Sequence, residues 1–329
     1  MCQILSIGIV ARNEEAFLTN LLTDMKNQKY PHDKMEILLI DSGSTDGTRA
    51  IMEQFKKDNT DFKNIQVLDN EKGIQASGWN VAIDHFTGDV LARIDAHTMV
   101  TPEYSLKVME DINAGEMVVG GVRPAIIERQ TPMAKVLLQV ENSLFGSSIN
   151  TSRWSQEKTY VKTMFHAAYR RCVFDKVGHF NEKLLRTEDN EFHYRVRQAG
   201  FKLCYDPQIV SYQYARSDFK RMIKQKYGNG DWIGRTLKVC SGCISIYHLI
   251  PLAFVLAIVA TSLLAAFGIW QLAALMWTMY GLFAVVNTII AGIGGGFYLP
   301  SILMPAMFLI LHIAYGLGSV VGLCHRKVE

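Results

Sequence analysis

The sequence predicts an α/β domain built on a parallel sheet, followed by C-terminal transmembrane helices. Three observations carry this expectation. Through Ile94, short apolar runs rich in branched side chains alternate with longer amphipathic stretches, the rhythm of βαβ units. From Val239 to His325 there is no Asp, Glu, Lys or Arg, a stretch of 87 residues, which is room for about three spans of ~20 residues with their turns. The charge is also divided: residues 1–215 carry 25 basic and 28 acidic groups, whereas 216–238 carry seven basic groups against Asp218 and Asp231. A soluble domain over 1–215, a basic amphipathic juxtamembrane segment over 216–243 and about three transmembrane helices over 244–324 follow from these boundaries.

The elements read in order. Ile4 to Ala11 is a strand, Glu14 to Asn27 a helix, and Glu36 to Ile40 a second strand that ends in Asp41-Ser42-Gly43-Ser44-Thr45-Asp46-Gly47. A helix reaches about Lys57, Ile65 to Leu68 forms a third strand, Ile74 to Phe86 a helix and Val90 to Ile94 a fourth strand. Thr187-Glu188-Asp189-Asn190-Glu191 opens a helix, with Thr187 as its cap, that continues through Phe192 to Gln198 and stops at Gly200. Spans are expected at about 246–267, 271–292 and 300–323, the last two separated by Gly294-Gly295-Gly296 and Pro300.

Several classes are excluded. A chain with 87 consecutive uncharged residues is not wholly soluble. Met1 to Val10 has no basic flank and runs into Arg12-Asn13-Glu14-Glu15, so it does not read as a signal peptide, and the soluble part is expected in the cytoplasm. Six scattered cysteines suggest no disulfide framework. Cys240 and Cys243 have half the spacing of a zinc site, but no second pair follows. The basic segment lies where a cytoplasmic flank meets anionic headgroups, and an acidic domain beside it argues against nucleic acid as a partner.

In a parallel α/β sheet, ligands bind beyond the carboxyl ends of the strands. Three polar clusters fall at such ends: Arg12-Asn13-Glu14, Asp41 with its Gly/Ser turn, and Asp95-Ala96-His97. The Gly43/Gly47 turn lacks the lysine of a phosphate loop and the spacing of a dinucleotide fingerprint. Asp46 reads as a helix cap, whereas Asp41 ends an apolar strand where the other polar groups converge. Alternation along an extended chain puts Asp95 and His97 on one side. A carboxylate and an imidazole so placed suit Mg²⁺ or Mn²⁺ on a diphosphate, because phosphate oxygens and water complete the shell; a structural histidine is the competing reading of His97. Macrodipole and capping roles account for Glu188 and Glu191 but do not require a carboxylate at Asp189.

Taken together, these residues resemble the family 2 glycosyltransferases with their GT-A (Rossmann-like) nucleotide-sugar domain, over residues 4 to about 213. The resemblance rests on Arg12-Asn13-Glu14, Asp41 to Thr48, Gly73 to Asn80, Asp95-Ala96-His97 and Glu188-Asp189, in order and suitably spaced. The bacterial exopolysaccharide subgroup that includes succinoglycan glucosyltransferases is similar in two further respects: its Asp-Ala-His metal motif, and a terminal helix patterned like His312 to Gly318. Two features depart from the wider family. The second aspartate of the commoner Asp-X-Asp motif is missing, and Gln225 and Trp232 stand seven apart without the arginine of the processive Gln-X-X-Arg-Trp, which disfavours repeated polymerisation.

The resemblance implies an inverting glycosyltransferase. It assigns Asp189, with Glu188 beside it, to catalysis, Arg12, Asn13, Glu14, Asp41, Gly73, Asn80 and Asp95 to the donor, and Asp95 with His97 to a divalent metal ion, Mg²⁺ or Mn²⁺. The expected donor is a UDP-sugar and the expected acceptor a polyprenyl-linked saccharide, at the bacterial inner membrane with a cytoplasmic catalytic domain. A polyprenyl-phosphate sugar synthase is the alternative within that chemistry. A non-catalytic membrane subunit that binds sugar nucleotide is the alternative outside it, although Asp95 and Asp189 are both intact. Two apolar stripes are candidates for an acceptor entrance at the membrane: Met133, Val136, Leu137, Val140 and Leu144, and Phe219, Met222, Ile223 and Tyr227. Three spans would put Arg326 and Lys327 outside, against the positive-inside rule, unless one segment is re-entrant or interfacial. Tyr315, Gly316 and Gly318 read as helix packing.

Overall fold

A computed structural model of the protein describes residues 3–146, 156–215 and 218–325. The chain divides into two compact units, one of residues 1–124 and 151–213, the other of 125–150 and 214–329. Within the span expected to form one domain up to 215, the described residues 125–146 group with the C-terminal helices. An amphipathic stripe shows that a helix is packed but not against which body, so the sequence could not place it.

The first unit opens with β1 (Leu5–Ala11), α1 (Glu15–Lys26), β2 (Met35–Asp41), α2 (Thr48–Asp58), β3 (Asn64–Asp69), α3 (Gln75–His85) and β4 (Val90–Asp95). Each lies within one or two residues of its expected span. β3, β2, β1 and β4 are adjacent and parallel, with Ala11 opposite Asp41 and Val10 opposite Asp95. That register aligns the polar strand ends along one edge. The unit continues through β5 (Thr98–Val100), α4 (Tyr104–Asn113), β6 (Val118–Val122), β8 (Thr159–Val161), β9 (Ala168–Arg170), α6 (Arg171–Val177), α7 (Glu188–Gln198) and β10 (Leu203–Tyr214). β9 wedges antiparallel between β4 and β6, so the sheet is mixed beyond β4.

Side chains alternate between two cores, as the strand period requires. Ile7, Ile9, Ile37, Leu39, Ala92 and Ile94 face α1, α2 and α4. Leu38, Ile40 and Leu91 face the other way, with Trp79 of α3, Phe174 of α6 and Phe192 of α7. α3 packs closely on β1 because Gly78 carries no side chain: a Cβ there would stand 2.6 Å from a Val10 methyl.

The second unit holds β7 (Ala125–Ile126), α5 (Pro132–Asn142), α8 (Phe219–Val239), α9 (Ile250–Ala266), α10 (Gln271–Gly295) and α11 (Met304–Cys324). Among the described residues, three stretches are long and apolar enough to cross a membrane: Ile246–Ala266, Gln271–Gly295 and Leu299–Cys324. The two stripes expected at an acceptor entrance are partly buried instead. Val136, Leu137, Val140 and Met222 pack with Met304, Met307, Phe308 and Leu311 of α11, with Phe219 and Ile223 against them. Burying those side chains on one another removes more apolar area from water than an open entrance would. The Cys243 thiol donates to the Cys240 carbonyl oxygen, 2.9 Å away, a local turn contact.

Candidate active site

The site forms where β1, β2, β3 and β4 end. Asn13 has a left-handed backbone (φ 55°), and its side-chain oxygen accepts from the Thr45 amide at 2.8 Å while its own amide donates to Ser44 Oγ. It thereby staples the loop after β1 to the loop after β2. Asp41 accepts from the Ser44 amide at 3.1 Å, closing that turn. Asp46 accepts from the Thr48 amide and hydroxyl one residue before the N-cap, which is Gly47. Arg12 Nη1 donates to the carbonyl oxygen of Gly73, at 3.1 Å, and Gly73 needs its positive φ of 65°. Glu14 Oε1 stands 3.3 Å from His97 Nδ1, joining the end of β1 to the end of β4.

Asp95 is the hub. Its Oδ1 accepts from Gln75 Nε2 at 3.0 Å; its Oδ2 lies 3.2 Å from His166 Nε2 and 3.7 Å from Arg123 Nη1. Burial alone would raise this carboxyl, but the hydrogen bond from His166 and the nearby Arg123 charge hold it well below the usual carboxylate range. His97 does not reach this place by strand alternation, as expected from sequence. Residues 96 and 97 form a turn between β4 and β5, so extended-chain geometry does not apply, and Glu14 orients the ring instead. His166 is buried with a left-handed backbone (φ 47°), its Nδ1 2.9 Å from Ser211 Oγ, and burial pushes its pKa down. Arg123 lies over the Phe165 ring at 3.6 Å.

α7 meets the same face of β4 two residues deeper. Arg93 is only 4% exposed, sandwiched between the rings of Trp79 and Phe180 at 4.6 Å from each, and its Nη2 lies 2.5 Å from Asp189 Oδ1. Asn80 supports this arrangement from behind. Its amide donates to the Phe180 carbonyl and Glu182 Oε1, and its oxygen accepts from the Phe180 amide. A side chain 7% exposed with those partners holds the Phe180 loop. Thr187 is not the expected side-chain cap: its backbone is left-handed (φ 66°) and its hydroxyl donates to the Arg186 carbonyl. Three non-glycine residues with positive φ, Asn13, His166 and Thr187, thus sit in the loops that build the site, where such strain tends to collect.

Glu188 and Asp189 are adjacent but differ in environment. Asp189 is held against Arg93 with its side chain 21% exposed. Glu188 is 6% exposed, and burial together with the charge of Asp189 raises its pKa. Because that folded-state value lies above the unfolded one, about 4.3, the stability linked to Glu188 is fully present below the unfolded value and is lost as pH rises through the folded one. Glu188→Gln is therefore expected to keep the fold and flatten the alkaline decline of the thermal midpoint. An unchanged slope would mean that Glu188 is ionised in place. Nearby His193 is buried and neutral, pushed down to about 3 by burial, between Thr163 Oγ1 and the Tyr169 hydroxyl.

Among the described residues no cluster of three or more His, Cys, Asp or Glu could hold a metal ion. Asp95 and His97 could supply at most two ligands, a set that would suit a hard divalent ion if its remaining oxygens came from a diphosphate and water. Sequence reasoning missed Arg93, Arg123, His166 and Gln75. Only Arg93 left a trace, as a charged residue within the otherwise apolar run Val90 to Ile94.

The glycosyl transferase family 2 model matches residues 6–178, more than half the chain, from within β1 to beyond β9. The chain belongs to that family. It is 29% identical over 267 residues to the dolichyl N-acetyl-alpha-D-glucosaminyl phosphate 3-beta-D-2,3-diacetamido-2,3-dideoxy-beta-D-glucuronosyltransferase of Methanococcus voltae, covering 79% of this chain and 82% of the relative. It is 26% identical over 291 residues to the succinoglycan biosynthesis protein ExoA of Rhizobium meliloti, covering 84% and 86%. Among solved structures, the mannosyltransferase PcManGT from Pyrobaculum calidifontis, in complex with GDP-Man and Mn2+, superposes with a TM-score of 0.65 at 18% identity, covering 97% of this chain and 87% of that one. The fold of this family 2 member is thus GT-A, followed by three apolar helices, and the enzyme is a glycosyltransferase that uses sugar nucleotides to build glycans.

Proposed function

We propose that this family 2 enzyme inverts the anomeric centre as it moves a sugar from a UDP-sugar to a lipid-linked saccharide at the membrane, in extracellular polysaccharide biosynthesis. The observation that carries the reading is the Arg93–Asp189 ion pair, which anchors the first turn of α7 on the strand that ends in Asp95. In a single displacement the acceptor oxygen bonds to the anomeric carbon as the bond to the diphosphate oxygen breaks. Asp189 takes the hydroxyl proton, and UDP leaves with the bonding pair. Glu188, held neutral, adds no second charge to compete for that proton. Arg12, Glu14 and Asp41 line the strand ends where the nucleotide of the donor is expected. Asp95 and His97 would hold a divalent ion. Such an ion, when bound, would stabilise negative charge developing on the leaving diphosphate. A lipid-linked acceptor is supported by the apolar helices and by a relative named for a dolichyl-linked sugar phosphate; succinoglycan biosynthesis in another relative supports the polysaccharide setting.

The test is sugar release and transfer by the purified full chain across a panel of UDP- and GDP-sugars, with Mg²⁺, Mn²⁺ or chelator. UDP-sugars are expected to react, and only with metal. Asp95→Ala should lose metal-dependent nucleotide-sugar binding, whereas His97→Asp should keep it and shift preference toward Mg²⁺, the harder ion. Reaction with GDP-sugars alone would overturn the donor assignment, and wild-type metal dependence in both variants would overturn the Asp95–His97 site.

A further inference from the structure

The three apolar stretches are not alike. Of the most apolar window in Ile246–Ala266 and in Gln271–Gly295, 6% is buried within the protein, but in Leu299–Cys324 the share is 39%. Part of that burial is contact with α8. α8 and α11 lie side by side, running in the same direction with their backbones in contact. Gly318 abuts the Tyr227 carbonyl and the Asp231 amide, and Gly322 the Asp231 carbonyl; from the other side, Gly230 abuts the Tyr315 carbonyl and Gly234 abuts Ser319 and Leu323. A Cβ at any of these four glycines would collide with the facing backbone. The pairing advances along both helices together and ends where the Lys238 ammonium donates to the His325 carbonyl.

α8 nevertheless carries Lys220, Arg221, Lys224, Lys226, Asp231, Arg235 and Lys238 along its whole length. Lys226 pairs with Glu141 and Arg235 with Asp231, while Lys220, Arg221 and Lys224 are exposed. If α11 crossed the hydrocarbon, its close contact with α8 would carry these charges across with it, which is prohibitively costly. The other two helices touch α11 over only part of their length, α10 through Tyr280, whose hydroxyl lies 2.9 Å from His312 Nδ1, and through Ala284. Gly316 of α11 meets α9 at Pro251 and Val255, in its first two turns, and beyond Val255 no residue of α9 is buried. Farther along, Thr261 of α9 faces Met276 of α10, as in a hairpin. The far end of α10 returns to α5, where Gln139 donates to the Gly296 carbonyl at 2.8 Å.

We infer that only the α9–α10 hairpin crosses the membrane, and that α11 lies with α8 in the headgroup layer, so that the chain re-emerges on the side from which α8 enters. The partner of this helix pair is an anionic lipid surface. The exposed side chains Ile310, Leu317 and Val321 recur on one face of α11 and suit the acyl boundary, and the α8 cations suit phosphate headgroups. Arg326 and Lys327, outside the described residues, then fall on the same side as the α8 cations, which removes the conflict with the positive-inside rule. The inference rests on the membrane-bound reading above, but not on its chemistry.

The experiment compares full chains with a single cysteine in sealed membrane vesicles of both orientations, labelled with an impermeant maleimide. Cys172, exposed in the first unit, reports the side of the sheet; exposed Cys324 reports the end of α11; Phe267→Cys reports the turn between α9 and α10. Cys172 and Cys324 are expected to label from one side and Phe267→Cys from the other. Labelling of Cys324 together with Phe267→Cys would overturn the inference, as would three sites on one side or a Cys324 that reacts only in detergent. Should the cysteine variants fail to insert, protease digestion of the native chain with a C-terminal epitope decides the same question: protection of the epitope on the face where the sheet domain is digested overturns it. Loss of transferase activity under every donor would leave these labelling patterns unchanged, so the two readings fail separately.

Discussion

Asp189→Asn is expected to lower turnover by ~10²-fold or more while leaving nucleotide binding nearly unchanged, because an amide keeps the shape of the carboxylate but cannot take the acceptor proton. The variant also leaves the buried Arg93 guanidinium without its anion, so its thermal midpoint must be measured beside its kinetics. A folded Asp189→Asn enzyme with near-wild-type turnover would remove Asp189 as the base. Glu188, whose pKa is raised by burial and by the very Asp189 charge this variant removes, and Glu191, tied to Arg195 at 2.7 Å, would come next.

Arg93→Met should be the more damaging change to the fold. Removing one partner of a buried ion pair costs about 3–5 kcal/mol, and the guanidinium also fills the space between Trp79 and Phe180. Turnover should fall as well, because Asp189 loses the contact that fixes its position. The double variant Arg93→Met/Asp189→Asn separates the two effects. With no charge left uncompensated it should recover part of the lost stability, yet none of the lost turnover. If the double variant proves no more stable than Arg93→Met alone, the ion pair is not the source of the loss and the ring sandwich is.

Much of the candidate site was legible because strand ends announce themselves: an apolar run that stops at Ala11, Ile40 or Ile94 and is followed by charged residues leaves little choice about where the sheet edge lies. The partners of those residues were not legible. Alternation does not carry from Asp95 to His97, because the chain turns at Ala96, and nothing in the neighbourhood of His166 marks it as the residue that reaches Asp95 from 71 positions away. Asn80 reads as well for a ligand contact as for a loop support, because its amide chemistry is the same in both.

The sequence by itself determined the α/β domain with its four parallel strands β1 to β4, the family and the apolar C-terminal region, since all three are written in local periodicity, in short motifs and in the run without charges. Only the tertiary structure decided that Arg93 pairs with Asp189, that residues 125–146 join the helical unit, and that α11 shares its length with a charged helix. Each of these depends on contacts between residues distant in the chain. Length and apolarity measure what a helix could cross, whereas the neighbour packed along its side determines where it can lie.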